Sequence, residues 1–287
     1  MNRQPPRANA LVVRWTIGDV CARGFEMLRL SILCAVRLFG RETHYCVCVN
    51  SLSAEEAQER TGELPACVQW RPVTRAELPE LLRPHFDGSL SEGTGWKLMP
   101  LRLDPERYEL ALDNDCILWR LPEGMECWLQ SERGALLAQD VDRCLGCFDA
   151  VCPPGALNAG IRGLSPGADL QTALADALHA AAEACGESPR LVSELDEQGL
   201  QAAAVARMQP LFVVANSEVT ICSPFWPRSP ELGTCGAHFV GMNARHIPWN
   251  YYDRPADEWM EEHWRRRRPA LYERAGVEMP NESAYAL

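Results

Sequence analysis

Apolar positions along the chain come in short unbroken runs, separated by longer stretches in which they return at helical spacing. Residues 10–15, with Val12 and Val13 at their centre and polar neighbours outside, predict a buried strand. Phe25, Leu28, Leu30, Ile32, Leu33, Val36, Leu38 and Phe39 then predict a helix that stops at Gly40. Residues 44–50 predict a second strand, and Ser53 is placed to cap a short acidic helix from Ala54. Residues 76–82 and 96–103 predict two further helices, and residues 108–112 a strand that runs into Asp113, Asn114 and Asp115. Strands follow at 117–119 and 135–139. After a proline-rich break at 152–155 come a strand-like LNAGIRGL, helices over 169–184 and 194–208, and a strand over 211–215. This alternation predicts an α/β fold: a mixed, mostly parallel central sheet flanked by helices in a single domain.

The expected organisation is a disordered or loosely ordered N-terminus over 1–9, a domain over 10–255, and a C-terminal helix and tail over 256–287. The domain divides into a nucleotide-binding half, 10–120, and an acceptor half, 121–255. In ADEWMEEHWRRRRPALYERAG acids come early and arginines late, as the helix macrodipole favours. Arg265, Arg266, Arg267 and Arg268 read first as a charged surface face and second as a weak site for an anionic partner.

Composition narrows the class. Of 287 residues 47% are hydrophobic and 23% charged, the balance of a globular protein and not of a disordered chain. No apolar run approaches the roughly 18 residues a membrane span needs, and MNRQPPRANA lacks the apolar segment of an export signal, so a soluble cytoplasmic protein with no transmembrane segment is expected. A formal charge of −11 argues against a nucleic-acid partner. An anionic ligand would need its charge met locally, by a metal or by a few placed basic groups. The 28 basic residues comprise 27 arginines and one lysine, Lys97, which singles that residue out. The cysteine count, 13, is odd in a long chain, and reduced thiols are expected. Cys46 and Cys48 share a strand face as small buried hydrophobes. Cys144, Cys147 and Cys152 lack the second close pair that a zinc site calls for.

The most informative stretch is YELALDNDCILW. In open α/β sheets ligands bind outside the carboxyl ends of strands, where Asp113 and Asp115 fall one residue apart. Two clustered carboxylates repel, and a hard divalent cation such as Mn²⁺ or Mg²⁺ relieves that repulsion. The same residues also fit a turn in which Asp and Asn satisfy backbone groups.

LVVRW, WKLMPLRL ahead of ELALDNDCIL, then LNAGIRGL, ELDEQGLQAA and HFVGMNARHIPW follow one another from about Leu11 to Trp249. In this order the sequence resembles the GT-A class of nucleotide-sugar-dependent glycosyltransferases, and within it the retaining family of glycogenin and the bacterial lipopolysaccharide galactosyltransferases. The resemblance implies that Asp113 and Asp115 are the metal-binding Asp-x-Asp, with Asn114 in the variable middle position, and that His238 completes the protein's ligands. The family's lysine after the late glycine is missing here. Past Gly241 the segment is longer, and Arg245 is the substitute for phosphate, Arg254 the second choice. The departure leaves open that His246, not His238, faces the metal.

The resemblance further places Asn158 and Gly160 against the sugar or acceptor, and Lys97 and Arg102 near the donor. Trp15 and Thr16 fall where the nucleotide base lies. Asp196, Glu197 and Gln198 fall on the helix start facing the anomeric carbon, and Asp196 and Gln198 take the catalytic assignments. Helix-terminal acids answering the dipole would by themselves explain Asp196 and Glu197. The reaction so implied is metal-dependent, hexosyltransferase-like transfer of a glycosyl group from a nucleoside diphosphate sugar, a UDP-sugar first, to an acceptor hydroxyl of unknown identity, with retention. Two other classes stay in view: a nucleotidyltransferase, for which TIGDVCARG is a poor phosphate loop, and a non-catalytic sugar- or nucleotide-binding protein on a glycosyltransferase fold.

Overall fold

Seven strands make the central sheet: β1 (Leu11–Ile17), β2 (His44–Val49), β3 (Val68–Pro72), β4 (Tyr108–Asp113), β6 (Ala135–Gln139), β7 (Leu157–Leu164) and β8 (Leu211–Val214), in spatial order β3-β2-β1-β4-β7-β6-β8. β1 runs parallel to β2 and β4, and β2 to β3. β7 is antiparallel to both β4 and β6, and β6 is parallel to β8. The sheet is therefore mixed and mostly parallel. This is a computed structural model that describes residues 10–86, 95–223, 231–243, 250, 251 and 253–280. The expectation for 1–9, the assignment of Arg245 and the alternative of His246 lie outside the described residues.

Helix α1 (Ala22–Phe39) explains its own irregular spacing, because it is buried on two sides. Phe25, Leu28, Ile32 and Ala35 pack on the sheet with Val13, Trp15 and Val47. Met27, Leu30 and Cys34 pack instead with Met260, Trp264 and Leu271 of α6 (Ala256–Ala275). Two buried faces widen the apolar stripe beyond that of a one-sided helix. On the other side of the sheet, α4 (Leu170–Cys185) and α5 (Glu194–Val205) cover Leu137 and Leu164.

A second, small sheet positions the site. Its strands β5 (Cys116–Leu118), β9 (Val219–Ile221) and β10 (Gly236–His238) lie in the order β5-β10-β9. β10 is antiparallel to β5, with His238 opposite Cys116. The last residue of β10 thus comes to rest beside the turn that ends β4.

The acidic helix from Ala54 is present as α2 (Ala54–Thr61), with the Ser53 hydroxyl accepting from the Glu56 N–H, but two other predicted helices are not formed. Residues 76–82 hold only a single 3-10 turn, Arg75–Glu77, and a second turn follows at Arg83–His85. Pro79 and Pro84 lack the N–H groups that a continuous helix would need. Residues 96–103 hold only the turn Trp96–Leu98, because Pro100 holds Met99 extended at φ −123 and ψ 107. β3, the short helix α3 (Glu123–Leu129), β9 and β10 carry too few apolar residues in sequence to stand out. Among the described residues no helix is long and apolar enough to cross a membrane.

The arginine run does not form one cationic face. Arg265 and Arg266 pair with Glu261 and Glu262 one turn back. Arg268 turns inward, where its Nε donates to Glu26 at 2.6 Å. The 13 cysteines are free, and Cys46 and Cys48 are buried against Val73.

Candidate functional site

β4 is held in the sheet by Leu110 and Leu112, both buried, and ends on Asp113 at the carboxyl edge. The turn after it is pinned by Asn114, whose amide donates to the carbonyl of Gly24 (3.2 Å) and to Asn243 Oδ1 (2.8 Å). Asn114 therefore supports the site and is not free to meet a donor. Asn243 in turn donates to Asp115 Oδ2 at 2.9 Å. From β10, His238 Nε2 approaches Asp115 Oδ1 at 3.2 Å and Asp113 Oδ2 at 3.6 Å. One ligand atom from each of Asp113, Asp115 and His238 can be chosen so that all lie within 4.8 Å of one another, and among the described residues no other such group of three exists. Asp115 Oδ1 is buried without an aligned hydrogen-bond donor among the described residues. Two carboxylates and one imidazole, with one of the carboxylate oxygens buried and lacking an aligned donor, fit a hard or borderline divalent cation.

The room for the imidazole comes from β7. Gly160 lies directly under the His238 ring, and a β-carbon there would come within 2.8 Å of Nδ1. The Gly160 N–H donates to Asn158 Oδ1 at 2.8 Å, and the Asn158 amide donates to Asp140 Oδ2 at 3.0 Å. Gln198 Nε2 reaches the same Asp140 oxygen at 3.4 Å and the Cys144 carbonyl at 2.9 Å. Asn158, Gly160 and Gln198 accordingly line the edge next to the carboxylates. Gly241 takes φ +81 in the exposed turn after β10.

Lys97 projects from the 3-10 turn before β4 and holds both oxygens of Asp113, at 2.7 and 2.8 Å. Burial would lower its ammonium, but the charges of Asp113 and Glu197 outweigh that and hold it above the ordinary lysine value. Burial opposes ionisation of Asp113 in the same way. Lys97 and His238 prevail and hold this carboxyl below the usual range. His238 is pushed up to about 10: burial acts against the imidazolium, and the two aspartates overcome it. Glu197 is pushed up to about 7, by burial first and by Asp113, with Lys97 opposing.

A chain of buried polar groups leads inward from this cluster. Gln201 donates to Glu197 at 3.2 Å and accepts from Arg162 at 2.6 Å. Arg14 pairs with Glu109 at 3.3 Å under the sheet edge. Thr16, opposite Asp113 in the β1–β4 register, lines a small cavity of about 10 Å³ with Lys97, Asp113, Arg162 and Gln201.

Three sequence assignments move elsewhere. Trp15 is fully buried, donates to Ser31 Oγ at 2.8 Å and stacks on Tyr45, so it offers no face to a nucleotide base. Arg102 spends its guanidinium on the carbonyls of Ser165, Ala168 and Arg107. Asp196 is the closing acid of a capping box on α5. It accepts from the N–H groups of Cys147, Val192 and Ser193 and from the Ser193 hydroxyl. Glu197, between Asp196 and Gln198 on the same helix start, is the acid of this turn that lies near enough to Lys97 and Asp113 for their charges to act on it. Its signal in the sequence was the pair Glu197 and Gln201, two polar residues four apart on the inner face of an alanine-rich helix.

No family model matches the sequence, and a search of curated proteins by sequence finds no match. Solved structures do match. The galactosyltransferase LgtC, in complex with donor and acceptor sugar analogs, superposes with a TM-score of 0.54 at 12% identity, over 95% of this chain and 98% of that one. An active-site mutant of LgtC gives 0.54 at 14% identity, over 96% and 100%. Mouse xyloside xylosyltransferase 1, in its apo form, gives 0.52 at 14% identity, over 79% and 96%. The chain shares a GT-A-like fold with these transferases, over nearly its whole length with LgtC.

Proposed function

We propose that this protein is a glycosyltransferase that moves a glycosyl group from a nucleoside diphosphate sugar, a UDP-sugar first, to an acceptor hydroxyl with retention at the anomeric carbon. The observation that carries the reading is the meeting of Asp113, Asp115 and His238 at the carboxyl edge of the sheet, drawn from two different sheets. LgtC, which has the same fold, was captured with donor and acceptor sugar analogs.

Asp113, Asp115 and His238 would hold Mn²⁺ or Mg²⁺. When bound, the cation would stabilise the negative charge that builds on the departing diphosphate. Asp113 remains ionised well below neutrality, as a ligand must. Asn243 orients Asp115, and Gly160 fixes the His238 ring. Lys97 supplies a positive charge at the rim. Asp140, Asn158 and Gln198 supply polar partners for sugar hydroxyls beside it. Thirteen free thiols support a reducing, cytoplasmic setting.

A screen of nucleoside diphosphate sugars tests this reading. A true donor should raise the melting temperature and be hydrolysed slowly in the presence of Mn²⁺, and Asp115→Asn should lose both effects. Proton NMR of the released sugar reads the anomeric outcome. Sugar binding that ignores both Mn²⁺ and the Asp115 substitution would instead identify a binding protein on a transferase fold.

A further inference from the structure

We propose that Lys97 is an exchangeable partner of Asp113: it gives up the carboxylate when a divalent cation binds and moves its ammonium to the donor's diphosphate, which couples the two binding events. The inference rests on the proposed metal site and adds to it a direction of movement and a free-energy link.

The argument begins with what Asp113 can offer. Lys97 Nζ lies 2.7 Å from one of its oxygens and 2.8 Å from the other, so the ammonium sits astride the carboxylate. A cation that uses an Asp113 oxygen is brought against this ammonium. An ammonium and a divalent cation drawn to one carboxylate repel each other strongly at such short range. The cheapest relief is for the ammonium to swing away, and the lysine is built for that. Its side chain is 31% exposed, so part of it already meets solvent. Its backbone stays fixed, because the Lys97 carbonyl accepts from Arg14 Nη2 at 3.1 Å. The stem is four flexible carbons ending in a compact charge.

The choice of residue supports the same view. The chain uses arginine at 27 of its 28 basic positions and lysine only here. A guanidinium would grip Asp113 as a planar two-pronged fork and hold it. An ammonium makes a strong contact without that geometric lock, and once displaced it finds its complement in a diphosphate at the mouth of the site. Each ligand then favours the arrangement with Lys97 off Asp113, so each tightens the other by the same factor.

The single lysine makes the movement visible. Reductive ¹³C-methylation preserves the charge and labels only Lys97 and the α-amine. Adding MgCl₂ should shift the lysine methyl signal, and UDP should shift it further. In parallel, Mn²⁺ binding is titrated by electron paramagnetic resonance on the full chain with and without UDP. UDP should tighten Mn²⁺ binding to the unmodified protein. In Lys97→Gln, Mn²⁺ alone should bind about tenfold tighter than in the wild type, while the tightening by UDP shrinks. Lys97→Arg, which keeps the charge but locks the carboxylate, should weaken Mn²⁺ binding. Mn²⁺ bound with an unmoved lysine signal, or equal Mn²⁺ affinity in all three proteins, overturns the exchange and leaves the metal site standing. Failure of Mn²⁺ to bind with or without UDP overturns both.

Discussion

The imidazole of His238 occupies the space that a side chain at position 160 would fill. A β-carbon on Gly160 would overlap the ring carbon Cε1 and come within 2.8 Å of Nδ1. β7 and β10 belong to different sheets, so this contact sets how deeply the small sheet seats against the large one. Gly160→Ala should push the ring off Asp113 and Asp115 and weaken Mn²⁺ binding by about 10- to 100-fold, as loss of ligand orientation does elsewhere. Calorimetric titration with MnCl₂ measures it. Unchanged affinity in a folded variant would show that His238 does not need that seat.

Glu26 ties the C-terminal helix to α1. Its carboxylate accepts from Trp264 Nε1 at 2.8 Å, Arg268 Nε at 2.6 Å and the Tyr272 hydroxyl at 2.7 Å, all from α6. Removing the charge leaves the Arg268 guanidinium without its counter-ion in a nearly closed interface. Glu26→Ala should therefore destabilise the fold by about 3–5 kcal/mol. Trp264→Phe, which loses one hydrogen bond, should cost about 1–3 kcal/mol. Urea unfolding of both variants gives the comparison, and equal small losses would remove the ion pair from the account.

Asp196 takes a structural role here, and the consequence is measurable. Four protein donors surround its carboxylate at the start of α5. Asp196→Ala should lower stability by about 1–2 kcal/mol, the usual effect of losing a cap, and leave Mn²⁺ affinity as it was. A stable variant that has lost donor hydrolysis would return Asp196 to the chemistry.

These cases mark how far the sequence reaches. The strand ending in Asp113 and Asp115 was legible because apolar residues stop abruptly at two carboxylates, and Lys97 stood out as the lone lysine. The seating of α1 under two layers was not, because its stripe reports burial without saying which neighbour lies on each side. Asp196, Glu197 and Gln198 are consecutive and polar, but on a helix they point in three directions about 100° apart. Which one faces Asp113 and Lys97 depends on the rotation of α5, and that is set by Leu200, Ala203 and Ala204 packing among residues far away in the chain. The predicted helix at 96–103 failed for a local reason that the sequence did contain, Pro100.

The titrations of the site give the protein without metal a characteristic pH dependence. His238 sits at about 10 in the fold against 6.5 for the free group, so its contribution is complete below about pH 6.5 and is lost as pH rises through about 10. Glu197, at about 7 against 4.5, acts in the same sense: its contribution is complete below 4.5 and is lost as pH rises through about 7. Asp113 lies below its ordinary 3.8, so it contributes above that value and the contribution is lost as pH falls through its lowered pKa. Stability in EDTA should therefore peak on the acid side of neutrality and decline steadily toward alkaline pH. With saturating Mn²⁺ the decline should flatten, because a cation that takes the imidazole must displace its proton, and binding then strengthens as protons become scarce. Scanning calorimetry across the range, with and without Mn²⁺, reads both slopes. Proton release follows from titrations in two buffers of different ionisation enthalpy. A melting temperature in EDTA that rises between neutral and alkaline pH would mean that His238 is not held by the two aspartates.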